Sequence, residues 1–150
     1  MSLFSVSTML HAQFQKPTEE ELKMTADPKN PGAAAIILNQ EELDNDPRHV
    51  RTIYERIKIL TEKGKELSTV NIPYVNEGWG VTDIQARTIH ADGTIIPLAG
   101  KPEELLLTKT GDFTVSRKVF SLPSVEVGSI LEYRYDLYYD RFFSTPEWRI

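Results

Sequence analysis

From Val50 onward the chain is a succession of short runs rich in β-branched and aromatic residues, cut at intervals by glycine-bearing turn signals. That punctuation constrains the fold more than any other feature, because such a pattern belongs to antiparallel strands joined by tight connections. In VRTIYERIKIL, Ile53, Ile57 and Ile59 lie on one face of a strand and Tyr54, Arg56 and Lys58 on the other. Glu55 interrupts the apolar face, yet the β-branched content still favours a strand. Gly64 reads as a turn residue needing φ > 0, with Leu67 to Ile72 returning as the next strand. Val81 to His90 and Thr94 to Leu98 flank Asp92-Gly93, a pair that predicts a type I′ hairpin. Leu105 to Thr110 and Val115 to Phe120 flank Gly111-Asp112, and Gly128 opens a final long strand. Pro73 and Pro123 read as strand ends, since neither donates a ladder hydrogen bond.

The final strand, ILEYRYDLYYD, has one continuously apolar face and one mostly charged face. Leu131, Tyr133, Tyr135, Leu137 and Tyr139 fall on one face; Ile130, Glu132, Arg134, Asp136 and Tyr138 fall on the other. The pattern predicts an inward aromatic row, with Glu132, Arg134 and Asp136 in solvent. Full burial of each large ring contributes about 1.5–3 kcal/mol. Of these rings only Tyr138 falls on the solvent side.

Ahead of the β region, Thr18-Glu19-Glu20-Glu21 has the form of a capping box and predicts a short helix from Glu19 to Met24. Pro28, Pro31 and Gly32 make a loop, and Asp44-Asn45-Asp46-Pro47 a turn. Ala33 to Leu38 is open between helix and strand on its residues alone. The sum is an all-β chain: an antiparallel β-sandwich of seven or eight strands with one short N-terminal helix. With 150 residues a single domain is expected, running from residue 17 to 150. Residues 1–16 read as a disordered leader, a signal-peptide remnant or an expression scar. They lack the basic start and full apolar run of a complete signal peptide.

The net charge of −5 argues against nucleic acid as a partner, which requires clustered cations. No run is long and apolar enough to cross a membrane as a helix, so no membrane insertion is expected. The absence of cysteine removes thiolate metal sites and a cysteine nucleophile from this chain. His11, His49 and His90 are isolated, with no acid at metal-site spacing. Asp44 and Asp46 have the spacing that opens a calcium loop, but the glycine and distal glutamate of that loop are missing. No catalytic or metal-ligating residue is therefore expected, and no cofactor. The candidate contact residues are aromatic: Tyr74, Trp79 between two glycines in NEGWGV, Tyr138, and the terminal Phe142, Phe143 and Trp148. An exposed Trp or Tyr can stack on a sugar face or dock a partner; a buried one is core.

Several ordered blocks carry a family resemblance: Tyr54 through Gly64 (YERIKILTEKG), Asn71-Ile72-Pro73-Tyr74, Ala86 through Thr94 (ARTIHADGT), Phe120-Ser121-Leu122-Pro123, and Gly128 through Tyr135 (GSILEYRY). Together they resemble the bacterial domain of unknown function found ahead of transglutaminase-like domains. The resemblance runs from about Glu20 to Trp148. It implies a β-rich accessory domain of an exported protein, periplasmic or extracellular. It also implies that a domain of the papain-like transglutaminase superfamily follows, so that this chain is the N-terminal part of a longer protein. The family supplies no catalytic residues to carry over, and its pattern turns Ala33 to Leu38 towards strand. The expectation is a non-catalytic module that packs against or orients the downstream domain; the alternative is a glycan- or peptide-binding β-sandwich.

Overall fold

The computed structural model describes residues 14–140. The helix α1 (Glu19–Lys23) is followed by eight strands: β1 (Ala35–Asn45), β2 (Val50–Ile59), β3 (Thr69–Val75), β4 (Trp79–Ile89), β5 (Ile95–Pro97), β6 (Glu103–Thr110), β7 (Phe113–Ser121) and β8 (Ile130–Tyr139). They form two antiparallel sheets, a five-stranded one in the order β1-β2-β8-β4-β5 and a three-stranded one in the order β3-β7-β6. The expected sandwich is the observed architecture, and the residues after the Pro-Gly loop are strand β1.

The capping box forms as its sequence predicts. Glu21 N–H donates to Thr18 Oγ1 at 3.1 Å, and Thr18 N–H donates to Glu21 Oε2 at 2.7 Å. The core lies between the sheets. Ile57 and Ile59 from β2, Leu131, Tyr133 and Leu137 from β8, and Val81 and Ala86 from β4 meet Val70, Ile72 and Tyr74 from β3, with Phe120 and Leu122. Tyr135 and Trp79 pack against this cluster partly buried. The inward row of β8 is thus real, and the ring of Phe120 meets that of Tyr133 edge-on at 6.0 Å.

Four local expectations are corrected. Gly64 sits in a 3-10 helix (Glu62–Ser68) and not among the positive-φ glycines. A side chain there would collide with the Ala34 carbonyl, so close approach, and not a turn, demands glycine. The connection at Asp92-Gly93 is not type I′, because only Gly93 has positive φ (88°). His90 N–H donates to the Thr94 carbonyl at 2.9 Å and Asp92 Oδ1 accepts from Thr94 N–H at 2.9 Å, giving a longer loop with one left-handed residue. Pro73 does not end a strand: it lies inside β3, opposite Arg117 of β7, where an edge strand tolerates it.

The fourth correction is the largest. Glu132 and Arg134 do not face solvent; they are 0% and 5% exposed. Arg56 and Lys58 on neighbouring β2 are buried too, at 5% and 0%. The charged face of the central strands is itself an interior.

Candidate functional site

The N-terminal segment covers the part of that second interior around Glu132, Arg56 and Lys58, while Arg134 is held by Asp83 and Asp136. Glu132 accepts from Tyr54 Oη at 2.5 Å, Arg56 Nη2 at 2.7 Å and Arg87 Nε at 2.5 Å, so one carboxylate joins β2, β4 and β8. The Gln15 carbonyl then accepts from both Arg56 Nη2 (2.6 Å) and Arg87 Nη2 (2.9 Å). The Phe14 ring lies 4.8 Å from the Arg87 guanidinium, Glu21 pairs with Arg56 at 3.2 Å, and the Leu22 carbonyl accepts from Lys58 Nζ at 2.9 Å. Burial raises the Tyr54 phenol above its ordinary range, helped by its bond to Glu132, and burial lowers the Lys58 ammonium. The arrangement fastens residues 14–22 across the sheet, and it consumes its own donors and acceptors. It is a structural latch.

The aromatic candidates meet elsewhere. Tyr74 at the end of β3, Trp79 at the start of β4 and Tyr138 near the end of β8 line one cleft of about 270 Å³, with Asn76, Thr82, Glu104 and Lys118. Two local features build it. Gly80 pairs with Tyr138 across the ladder, and a side chain on Gly80 would run into the Tyr138 ring, so the ring lies directly on the glycine. Glu104 and Lys118 are cross-strand partners on β6 and β7 and form an ion pair. Tyr138 is 45% exposed, whereas Tyr74 is buried. Burial and a hydrogen bond to Glu104 push the Tyr74 phenol up to about 12. Lys118, and then Tyr74, hold the Glu104 carboxyl below its usual range.

The cleft therefore presents ring faces beside a fixed carboxylate–ammonium pair, the combination that stacks on a flat apolar surface while hydrogen-bonding its polar edge. Asn76, Thr82, Glu104 and Lys118 escape the sequence reading because they become neighbours only through strand register. That register shifts at a bulge between Leu106 and Thr108. Phe142, Phe143 and Trp148 lie outside the described residues. Among the described residues, no group of three or more His, Asp or Glu is placed to hold a metal ion, and no helix is long and apolar enough to cross a membrane.

Fold and cleft define a two-sheet β-sandwich domain, a class that hosts many unrelated functions. The chain belongs to the DUF3857 family, a domain of unknown function with solved structure, which matches residues 45–148. A similar solved fold is the crystal structure described as that of a "putative protease" from Parabacteroides distasonis ATCC 8503, with a TM-score of 0.60 and 16% identity. The similarity covers 71% of this chain and 23% of that one. No curated protein matches the chain by sequence.

Proposed function

We propose that the domain is a non-catalytic accessory module of an exported bacterial protein, packing against and orienting a transglutaminase-like domain on the same polypeptide. The observation that carries this reading is the β6–β7 hairpin. Leu105, Leu106, Leu107 and Phe113 are 38%, 64%, 46% and 60% exposed, and β6 is exposed along its whole length. Four large apolar side chains left in water on one hairpin are surface that a covering domain would bury. The similar fold takes up 23% of a longer chain described as a "putative protease", so there this fold stands beside further sequence. The test is thermal melting of the chain extended past Ile150, compared with its two domains separated. Docking predicts a midpoint that shifts on separation, and a smaller shift when Leu106→Asp is introduced. Independent melting with unchanged midpoints removes the proposal.

A second reading rests on the convergence of Tyr74, Trp79 and Tyr138 with Glu104 and Lys118. In it the cleft binds a glycan or a peptide side chain by stacking. Titrating cell-wall glycan fragments and short peptides while following Trp fluorescence tests it, with Trp79→Phe as the reference. A spectrum that stays flat to millimolar ligand sinks this second reading.

A further inference from the structure

The two sheets overlap incompletely, and the mismatch leaves a groove along β3. Among the described residues, β3 has a ladder partner on one side only, β7. The Ser68 carbonyl accepts from Leu122 N–H at 2.8 Å and Asn76 N–H donates to the Thr114 carbonyl at 2.8 Å. The register between these bonds is unbroken, from Thr69 opposite Ser121 to Val75 opposite Val115. Bonded and non-bonded pairs alternate in an antiparallel ladder, so the even residues of β3 bond to β7. Thr69, Asn71 and Pro73 turn their backbone groups to the free edge. Pro73 has no N–H, so that edge offers donors at Thr69 and Asn71 and acceptors at all three.

Two cavities run along this edge. The larger, about 500 Å³, is lined by Asn71 and Pro73 and by Ile53, Tyr135, Leu137 and Trp79. The smaller, about 260 Å³, is lined by Thr69 and by Ala35, Ile37, Ile57 and Leu67. Glu55, Val70 and Tyr133 line both, so the Glu55 carboxylate stands where the two meet. It accepts the Tyr133 hydroxyl. In the larger cavity Glu42 Oε2 lies 3.6 Å from Arg51 Nη1 and is buried without a hydrogen bond among the described residues, while Arg51 already holds Asp44 at 2.7 Å. Of the charged side chains that line the two cavities, the carboxylates Glu42 and Glu55 outnumber the one guanidinium, Arg51.

We propose that the free edge of β3 is a strand-addition site for an extended segment of a partner protein whose inward side chains read apolar, basic, apolar at alternate positions. A β-strand places side chains of one face about 7 Å apart, the arrangement needed to put a cation at Glu55 and an apolar side chain in each flanking cavity. Added as a fourth strand, the segment satisfies the edge groups of Thr69, Asn71 and Pro73 and gains specificity from alternate side chains. Pro73 limits the usable edge and so favours a short segment over open-ended sheet growth.

The probe is the peptide acetyl-TVTKTVT-amide, titrated by calorimetry and by amide NMR of the full chain. Binding with slowed exchange of the Thr69 and Asn71 amides is expected. Glu55→Gln, which keeps an acceptor for the Tyr133 hydroxyl, weakens binding by about tenfold, the scale of a lost charge pair. A peptide carrying glutamate in place of its lysine does not bind, nor does one N-methylated at the edge-facing amides. The two peptide controls read out on the unaltered protein, so the test survives a variant that fails to fold. No binding at millimolar peptide, equal binding of the glutamate peptide, or shifts confined to the β6 edge each overturn the proposal. So does chitotriose perturbing the same amides where the peptide does not.

Discussion

The five-stranded sheet is interior on both sides over its central strands, while the three-stranded sheet has one buried face and one in water. On β8, Ile130 through Arg134 are buried without a break; on β6, every residue from Glu103 to Thr110 is exposed. Both strands carry apolar residues and both pair with antiparallel neighbours, so strand propensity does not separate them. What separates them is what lies across each face. β8 has a core on one side and the N-terminal latch on the other, whereas β6 overhangs. The rigid sheet is therefore the part that fixes the fold, and the three-stranded sheet is where this molecule has surface left for partners.

That contrast breaks or sharpens in measurable ways. The largest effect is expected at Glu132, whose loss leaves Arg56 and Arg87 without their shared carboxylate. Glu132→Ala destabilises by about 3–5 kcal/mol, read as a fall in urea midpoint, and a loss under 1 kcal/mol would mean that the latch face is not an interior. Next, Leu131→Ala in the core costs about 2–5 kcal/mol, whereas Leu106→Ala on β6 stays within about 0.5 kcal/mol. Equal losses at the two leucines would erase the distinction between the sheets. Smaller again, Thr18→Ala removes the helix cap at about 1 kcal/mol, and hydrogen exchange should then quicken around the latch and leave β6 and β7 unchanged.

The last effect, confined to alkaline pH, involves the phenols. Tyr74 is raised from its ordinary 10.0 to about 12 by burial and its bond to Glu104. A raised folded-state value means that its contribution is intact below pH 10 and is lost between about pH 10 and 12, because the unfolded chain ionises first. Tyr54, buried in the other sheet, adds a loss of the same sign. Tyr74→Phe and Tyr54→Phe should each flatten the alkaline limb of a stability–pH curve. A limb that neither substitution changes would show that these hydroxyls titrate normally.

The sandwich was legible because alternation and turn residues act locally. The inward row of β8, the capping box at Thr18 and the hairpin around Gly111-Asp112 all follow from neighbours in sequence. The burial of Glu132 did not, because alternation says only which residues share a face and nothing of what covers it. The cover is supplied by Phe14 and Gln15, which read as part of a leader. Cross-strand pairing nonetheless carried a trace: Arg56 and Arg87 both sit opposite Glu132, a charge-matched triplet visible once the register is known. The cleft was half legible. Tyr74, Trp79 and Tyr138 were recognisable as large amphipathic rings, whereas Glu104 and Lys118 became meaningful only when the bulge in β6 set them side by side.

The latch also bears on where the domain can be cut. The family match begins at residue 45, yet nearly all of β1 and residues 14–22 lie ahead of it, and residues 14–22 hold Arg56, Arg87 and Lys58 from outside. A fragment trimmed to the matched segment would keep the cations and lose Glu21 and the Gln15 and Leu22 carbonyls. It would also leave β2 without its outer neighbour. Sequence kinship and autonomous folding thus have different borders here, and anyone transplanting this domain into another protein should take the earlier one.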